Sequence, residues 1–104
     1  MATTATKYLY DGLKTLVEKV NERLSDPDKE FRDSLIGNLR EFCERLPRLN
    51  LTNDQQLEEY REEIVASLGQ FEPDLLRSND LVRQTVAERA REITEAMSAY
   101  MGVA

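Results

Sequence analysis

Apolar residues recur along this chain at intervals of three and four, the spacing that gathers them on one side of a helix. The last quarter shows it most plainly. Between Ser78 and Gly102, the residues Val82, Val86, Ala90, Ile93, Met97 and Tyr100 make one continuous stripe. Three cap-type residues, Ser78, Asn79 and Asp80, stand in front of it, and Gly102 stands behind. The pattern predicts a helix over about residues 79–101, the longest in the chain, against which the others pack.

Three further helices follow from the same reading. Leu9, Leu13, Leu16, Val20 and Leu24, with Val17 beside them, predict a first helix over about 7–24 after a flexible arm at 1–6. Gly12 lies on that stripe, where a missing side chain would admit another helix closely. Asp26-Pro27-Asp28 reads as an N-cap, a first-position proline and a favourable acid, so the second helix is placed at about 27–46. Its stripe is Phe31, Leu35, Leu39, Phe42 and Leu46, and the short connection implies a tight hairpin with the first helix. Arg40 with Glu44 and Glu41 with Arg45 are pairs at four-residue spacing. Pro47 ends this helix, because the residue before a proline avoids the α conformation. Leu49 and Leu51 are expected to tuck onto the open end of the core.

Thr52-Asn53-Asp54-Gln55 resembles a capping box and opens a third helix over about 53–70. Leu57, Tyr60, Ile64, Leu68 and Phe71 face inward on it, flanked by Val65. Pro73 is suited to start a short helical turn before the last helix. Four helices joined by short loops predict one all-α domain over residues 1–104, an antiparallel up-down four-helix bundle. The alternative is a three-helix bundle whose C-terminal helix is shared with a partner chain.

Composition narrows the function. Fourteen Lys and Arg stand against twenty Asp and Glu, a net charge of −6. That argues against nucleic acid and anionic membrane surfaces as partners, and allows a basic one. No apolar run approaches the length of a membrane span. The N-terminus lacks the apolar region of a signal peptide, and the chain has a single cysteine, Cys43, so a reducing, cytoplasmic setting is expected. There is no histidine, which removes Ser-His and Cys-His catalysis and histidine-containing metal sites. Cys43 lies on the apolar flank of the second helix and reads as a small hydrophobe. The four glycines are isolated, so there is no phosphate-cradling loop. No catalytic residue, cofactor or metal is assigned.

Two surfaces remain as candidates. The third helix carries Asp54, Glu58, Glu59, Glu62 and Glu63 with only Arg61 among them, an acidic face for a basic partner. The apolar Met97, Tyr100 and Met101 at the chain end, with Tyr8 and Tyr10 on the first helix, are the candidate interface residues. Tyr8 and Tyr10 cannot both join their helix's stripe, so one of them faces outward. On the last helix, Arg83, Glu88, Arg89, Arg91, Glu92 and Glu95 read as a mixed, solvated face.

Glu58-Glu59-Tyr60-Arg61-Glu62 resembles the E-E-x-x-E motif of all-helical nucleotide pyrophosphohydrolases of the MazG type. Glu92-Ile93-Thr94-Glu95 is similar to their second motif, E-x-x-D, with Glu in the final position. That resemblance spans these few residues and implies magnesium held by carboxylates of two helices. Three readings therefore compete. The preferred one is a non-enzymatic interaction or assembly module that self-associates or serves as an accessory subunit. The others are a magnesium-dependent nucleotide pyrophosphohydrolase and an acidic decoy for a basic protein surface.

Overall fold

The computed structural model describes residues 4–26, 28–50 and 53–101. The chain is all-α. Among the described residues there are five helices: α1 (Thr4–Ser25), α2 (Ser34–Leu49), α3 (Gln55–Ile64), α4 (Pro73–Ser78) and α5 (Asp80–Met101). A π-helical segment, Val65–Gly69, continues α3. The up-down four-helix reading thus gains a fifth, short helix. The molecule measures 40 × 28 × 18 Å. Its thinnest dimension is about two helices deep, at roughly 10 Å per helix, which leaves no room for a deep enclosed pocket.

α1 and α5 form the central pair. They run antiparallel, since the start of α1 meets the end of α5 at Tyr10 and Tyr100, and Leu24 near the end of α1 meets Arg83 near the start of α5. α1 buries Leu9, Tyr10, Leu13, Val17, Val20 and Leu24; Val17 takes the central place expected of Leu16, which is half-buried. α5 buries Val86, Ala87, Ala90, Ile93 and Met97 within the one chain, so this helix belongs to the core. The small residues Ala87 and Ala90 let the two axes come close, and the Asn21 amide donates to the Ala87 carbonyl at 2.9 Å across the gap. α1 starts at Thr4, earlier than the predicted position 7, so part of the expected arm is helical. Gly12 accommodates α2. A Cβ added there would stand 2.9 Å from the tip of the Phe42 ring. Gly37 on α2 has open space around it, and nothing in the structure requires a glycine there.

The largest departure from the predicted bundle is the start of α2, at Ser34 instead of position 27. Pro27 itself lies outside the described residues. The Asp26 carboxylate does act as a local cap, accepting from the Asp28 amide at 3.0 Å, but the chain then makes a turn and stays irregular to Asp33. A helix would satisfy these carbonyls internally. Here a guanidinium from α5 reaches those of Asp26 and Lys29 instead, and one from α4 reaches that of Phe31. The connection is consequently an irregular loop, not a tight hairpin, and Phe31 sits in it, buried, instead of on the stripe of α2.

α2 also ends later than predicted. It continues through Pro47 to Leu49, and Asn50 closes it by donating its backbone N–H to Leu46 at 2.9 Å. A proline in the last turn forfeits one backbone bond near a helix end that frays in any case. Leu49 is half exposed, not tucked inward, and Asn50 takes the buried place. Its side chain accepts from the Asp54 amide at 3.0 Å and donates to the Asp54 carbonyl at 3.1 Å. Leu51 and Thr52 lie outside the described residues. α3 is capped by Asp54, whose carboxylate accepts from the Leu57 amide at 3.2 Å. Asn53 before it adopts φ of +52°, a conformation asparagine tolerates better than most residues. The predicted inward residues Leu57, Tyr60, Ile64 and Leu68 are buried, Phe71 is half-buried, and Val65 is exposed.

Arg40 does not pair with Glu44. It crosses to the end of the π-helical segment, donating to the carbonyls of Gly69 and Phe71, the latter at 2.9 Å. α4 starts on Pro73 and buries Leu76. α5 is capped by Asn79, whose side-chain oxygen accepts from the Val82 amide at 3.1 Å.

Candidate functional site

Two clusters form where α1 meets α5, one at each end of the pair. The first centres on Arg83, which the sequence reading placed on a solvated face. It is 6% exposed. Its guanidinium donates to four carbonyl oxygens: Leu24 at 3.2 Å and Arg23 at 2.9 Å at the end of α1, then Asp26 at 2.8 Å and Lys29 at 2.7 Å in the loop. The planar fork of arginine suits such a spread of acceptors, and the negative end of the α1 dipole favours a cation there. Arg83 also stands over the Phe31 ring, 5.2 Å from its centroid. Arg77 of α4 stands 4.8 Å from the same centroid and donates to the Phe31 carbonyl at 2.9 Å. Asp33 and Asp74 hold Arg77 at 2.6 and 2.9 Å. No buried side-chain polar atom among the described residues lacks a hydrogen-bond partner. The bonds of this cluster tie the end of α1, the loop, α4 and α5 together. Its signal was present in the sequence, since Arg83 stands three residues before Val86, in step with Ala90, Ile93 and Met97.

The second cluster is aromatic. Tyr10 of α1, Tyr60 of α3 and Tyr100 of α5 bring their rings together, with centroid separations of 6.3, 5.6 and 6.0 Å. The Tyr10 hydroxyl donates to the Asp54 carboxylate at 3.0 Å, and the Tyr60 hydroxyl donates to the Ala96 carbonyl at 3.3 Å. Burial first, then the neighbouring Tyr100 and Asp54, push the Tyr10 phenol well above its ordinary pKa. Burial does the same, less strongly, to Tyr60.

The five candidate interface residues separate here. Tyr10 and Met97 are buried inside the chain and are core, because the α1–α5 contact covers both. Tyr8 is 73% exposed and Tyr100 is 53% exposed. The Met101 side chain lies outside the described residues. Leu49, 50% exposed, belongs to the same end of the molecule, since Asn50 beside it is bonded to Asp54 and Asp54 to Tyr10.

The acidic face of α3 is less bare than its sequence suggests. Asp54 is engaged as a cap. Arg61 reaches Glu58 at 2.7 Å and Glu62 at 3.9 Å. Arg89 arrives from α5, 3.4 Å from Glu63 and 3.7 Å from Glu92. Only Glu59 of the five has neither a cap bond nor an ion pair with a described residue. On α5, Arg91 pairs with Glu88, and with Glu95 at 2.8 Å. Among the described residues, four carboxylates of the pyrophosphohydrolase-like pattern, Glu58, Glu62, Glu92 and Glu95, are thus paired with arginines, and Glu59 is not. Among the described residues no three His, Cys, Asp or Glu side chains are grouped to hold a metal ion.

Cys43 is buried on α2, and burial pushes its thiol up to about 11, against a smaller opposing pull from Arg61. A thiol so protonated is a poor nucleophile at neutral pH. No described helix is long and apolar enough to cross a membrane. No protein-family model, curated protein or solved structure matches this chain.

Proposed function

We propose that this protein is a small non-enzymatic interaction module of the cytoplasm, which self-associates through the tyrosine-bearing end of the α1–α5 pair. The observation that carries the reading is the exposure of Tyr100. Its ring packs on Tyr10 and Tyr60, yet 53% of the residue remains in water. A rigid aromatic, held on one side and open on the other, is a low-entropy anchor for an interface. Tyr8 and Leu49 add exposed apolar area at the same end. A symmetric dimer requires one patch that is complementary to itself, and an aromatic end with an amphipathic hydroxyl meets that requirement. The buried lone thiol fits a reducing compartment.

Light scattering on the purified chain over a range of concentrations tests the reading. The expected result is a dimer mass that reverts to a monomer in Tyr8→Ser/Tyr100→Ser. A wild-type protein that stays monomeric at millimolar concentration would refute self-association.

A further inference from the structure

A different surface carries an inference that does not rest on self-association. Acids outnumber bases in this chain, so each cation has carboxylates to choose from, and most arginines take one or cap carbonyls. Lys19, Arg23 and Arg32 do not: none makes an ion pair with a described residue. All three are exposed and line one hollow of about 460 Å³ between α1 and the start of α2. Glu30 is the single carboxylate in its wall. The balance is therefore three cations to one anion, in a molecule whose overall charge is negative.

The hollow continues along the seam. A second depression of about 270 Å³ shares Asn38 with it and is lined by Leu16 and Phe42, beside the paired Glu41 and Arg45. Leu35 floors the first hollow, and Leu16, Leu35 and Phe42 are only half-buried. The apolar floor follows α2 from Ser34 to Arg45, about 16 Å at 1.5 Å per residue, or three helical turns, and the cationic rim edges the half nearer Ser34. Lys19 and Arg23 stand four residues apart on one face of α1, the spacing at which a second helix presents successive carboxylates.

We propose that the α1–α2 seam is a docking groove for an acidic amphipathic helix of a partner protein. Its apolar face would lie on Leu16, Leu35 and Phe42, and its carboxylates would meet Lys19, Arg23 and Arg32, the helix-in-groove mode of recognition. Charge complementarity selects the occupant. A basic helix is repelled by the rim, and a small anion leaves the apolar floor in water.

A titration of ¹⁵N-labelled protein with a synthetic 14-residue amphipathic helix of leucine and glutamate tests this. The same peptide with glutamine for glutamate is the comparison. Saturable shifts at the amides of Lys19, Arg23, Ser34, Leu35 and Asn38 are expected, weakened by salt and at least tenfold tighter with the glutamate peptide. Lys19→Gln/Arg23→Gln/Arg32→Gln should lose at least tenfold in affinity, whereas Arg48→Gln, outside the groove, should not. Equal binding of both peptides, shifts elsewhere, or no shift at millimolar peptide would overturn the proposal. So would a wild-type dimer that this triple variant dissolves, which would seat a second copy in the groove. The peptide failures leave the tyrosine-end dimer standing, because that is read by mass and by different residues, whereas a dimer dissolved by the triple variant would overturn both.

Discussion

At both ends of the α1–α5 pair a polar-tipped side chain bridges helices, but the two ends treat water differently. At one, Arg83 and Phe31 are buried, and the Nε and Nη2 donors of Arg83 are directed at carbonyls of the chain itself. At the other, Tyr10 is buried and bonded to Asp54, while Tyr100 and Tyr8 keep most of their surface in solvent. The first end turns Arg83 and Arg77 onto acceptors of the chain itself. The open end is equally well packed at its centre and still presents aromatic surface. Burial of polar groups thus separates a joint that only holds the fold from one that also leaves aromatic surface in water.

The widest split between the ends should come from Arg83→Met. It takes the guanidinium away from four carbonyl oxygens, of which Asp26 still accepts from the Lys29 amide, and an unmatched acceptor as buried as that of Leu24 costs about 1–3 kcal/mol. We expect a loss of about 3 kcal/mol or more in urea unfolding, which lowers the melting temperature by more than about 10 °C. Arg83→Lys should recover only part of it, because an ammonium cannot span the same acceptors. A change below about 1 kcal/mol would mean that the loop does not depend on this clamp.

The tyrosine end should yield less. Tyr10→Phe removes one hydroxyl bond to a half-exposed carboxylate, worth about 1 kcal/mol. It should also alter the alkaline limb of stability. The pKa values of Tyr10, Tyr60 and Cys43 are raised in the folded chain. Each therefore contributes stability that is whole below its unfolded pKa, about 8.5 for the thiol and about 10 for the phenols, and that is lost as pH rises. Urea midpoints should fall from about pH 8.5 upward, and Tyr10→Phe should flatten the fall above about pH 10. An unchanged slope would show that Tyr10 titrates normally.

Between the ends, Arg91→Ala is expected to leave the urea midpoint within error. Its pairs with Glu88 and Glu95 are exposed, and exposed pairs contribute little. A clear loss there would place stability in the surface network instead of at the ends.

Much of the fold was legible in the residues alone. The stripes of α1, α3 and α5, the cap-type run that includes Asn79, the Pro73 helix start and the close approach at Gly12 all follow from neighbours within a few positions, whereas α3 is capped by Asp54, two residues after the Thr52 of the expected capping box. Such features depend on the 3.6-residue repeat and on local hydrogen bonding, which a sequence displays directly. The acidic face of α3 was legible as a pattern but not as an environment, because Arg89 reaches it from another helix.

What only the tertiary structure decided lies between residues far apart in sequence. The strong local start signal at Asp26-Pro27 lost to Arg83, 54 to 57 positions away, which bonds the Asp26 and Lys29 carbonyls in place of a helical turn. Tyr10, Tyr60 and Tyr100 carry no sign of one another until α1, α3 and α5 pack. A helix's own periodicity says which face is apolar. Which polar side chain lands on a neighbour's open carbonyls, and which aromatic is left half in water, is settled by how the helices meet.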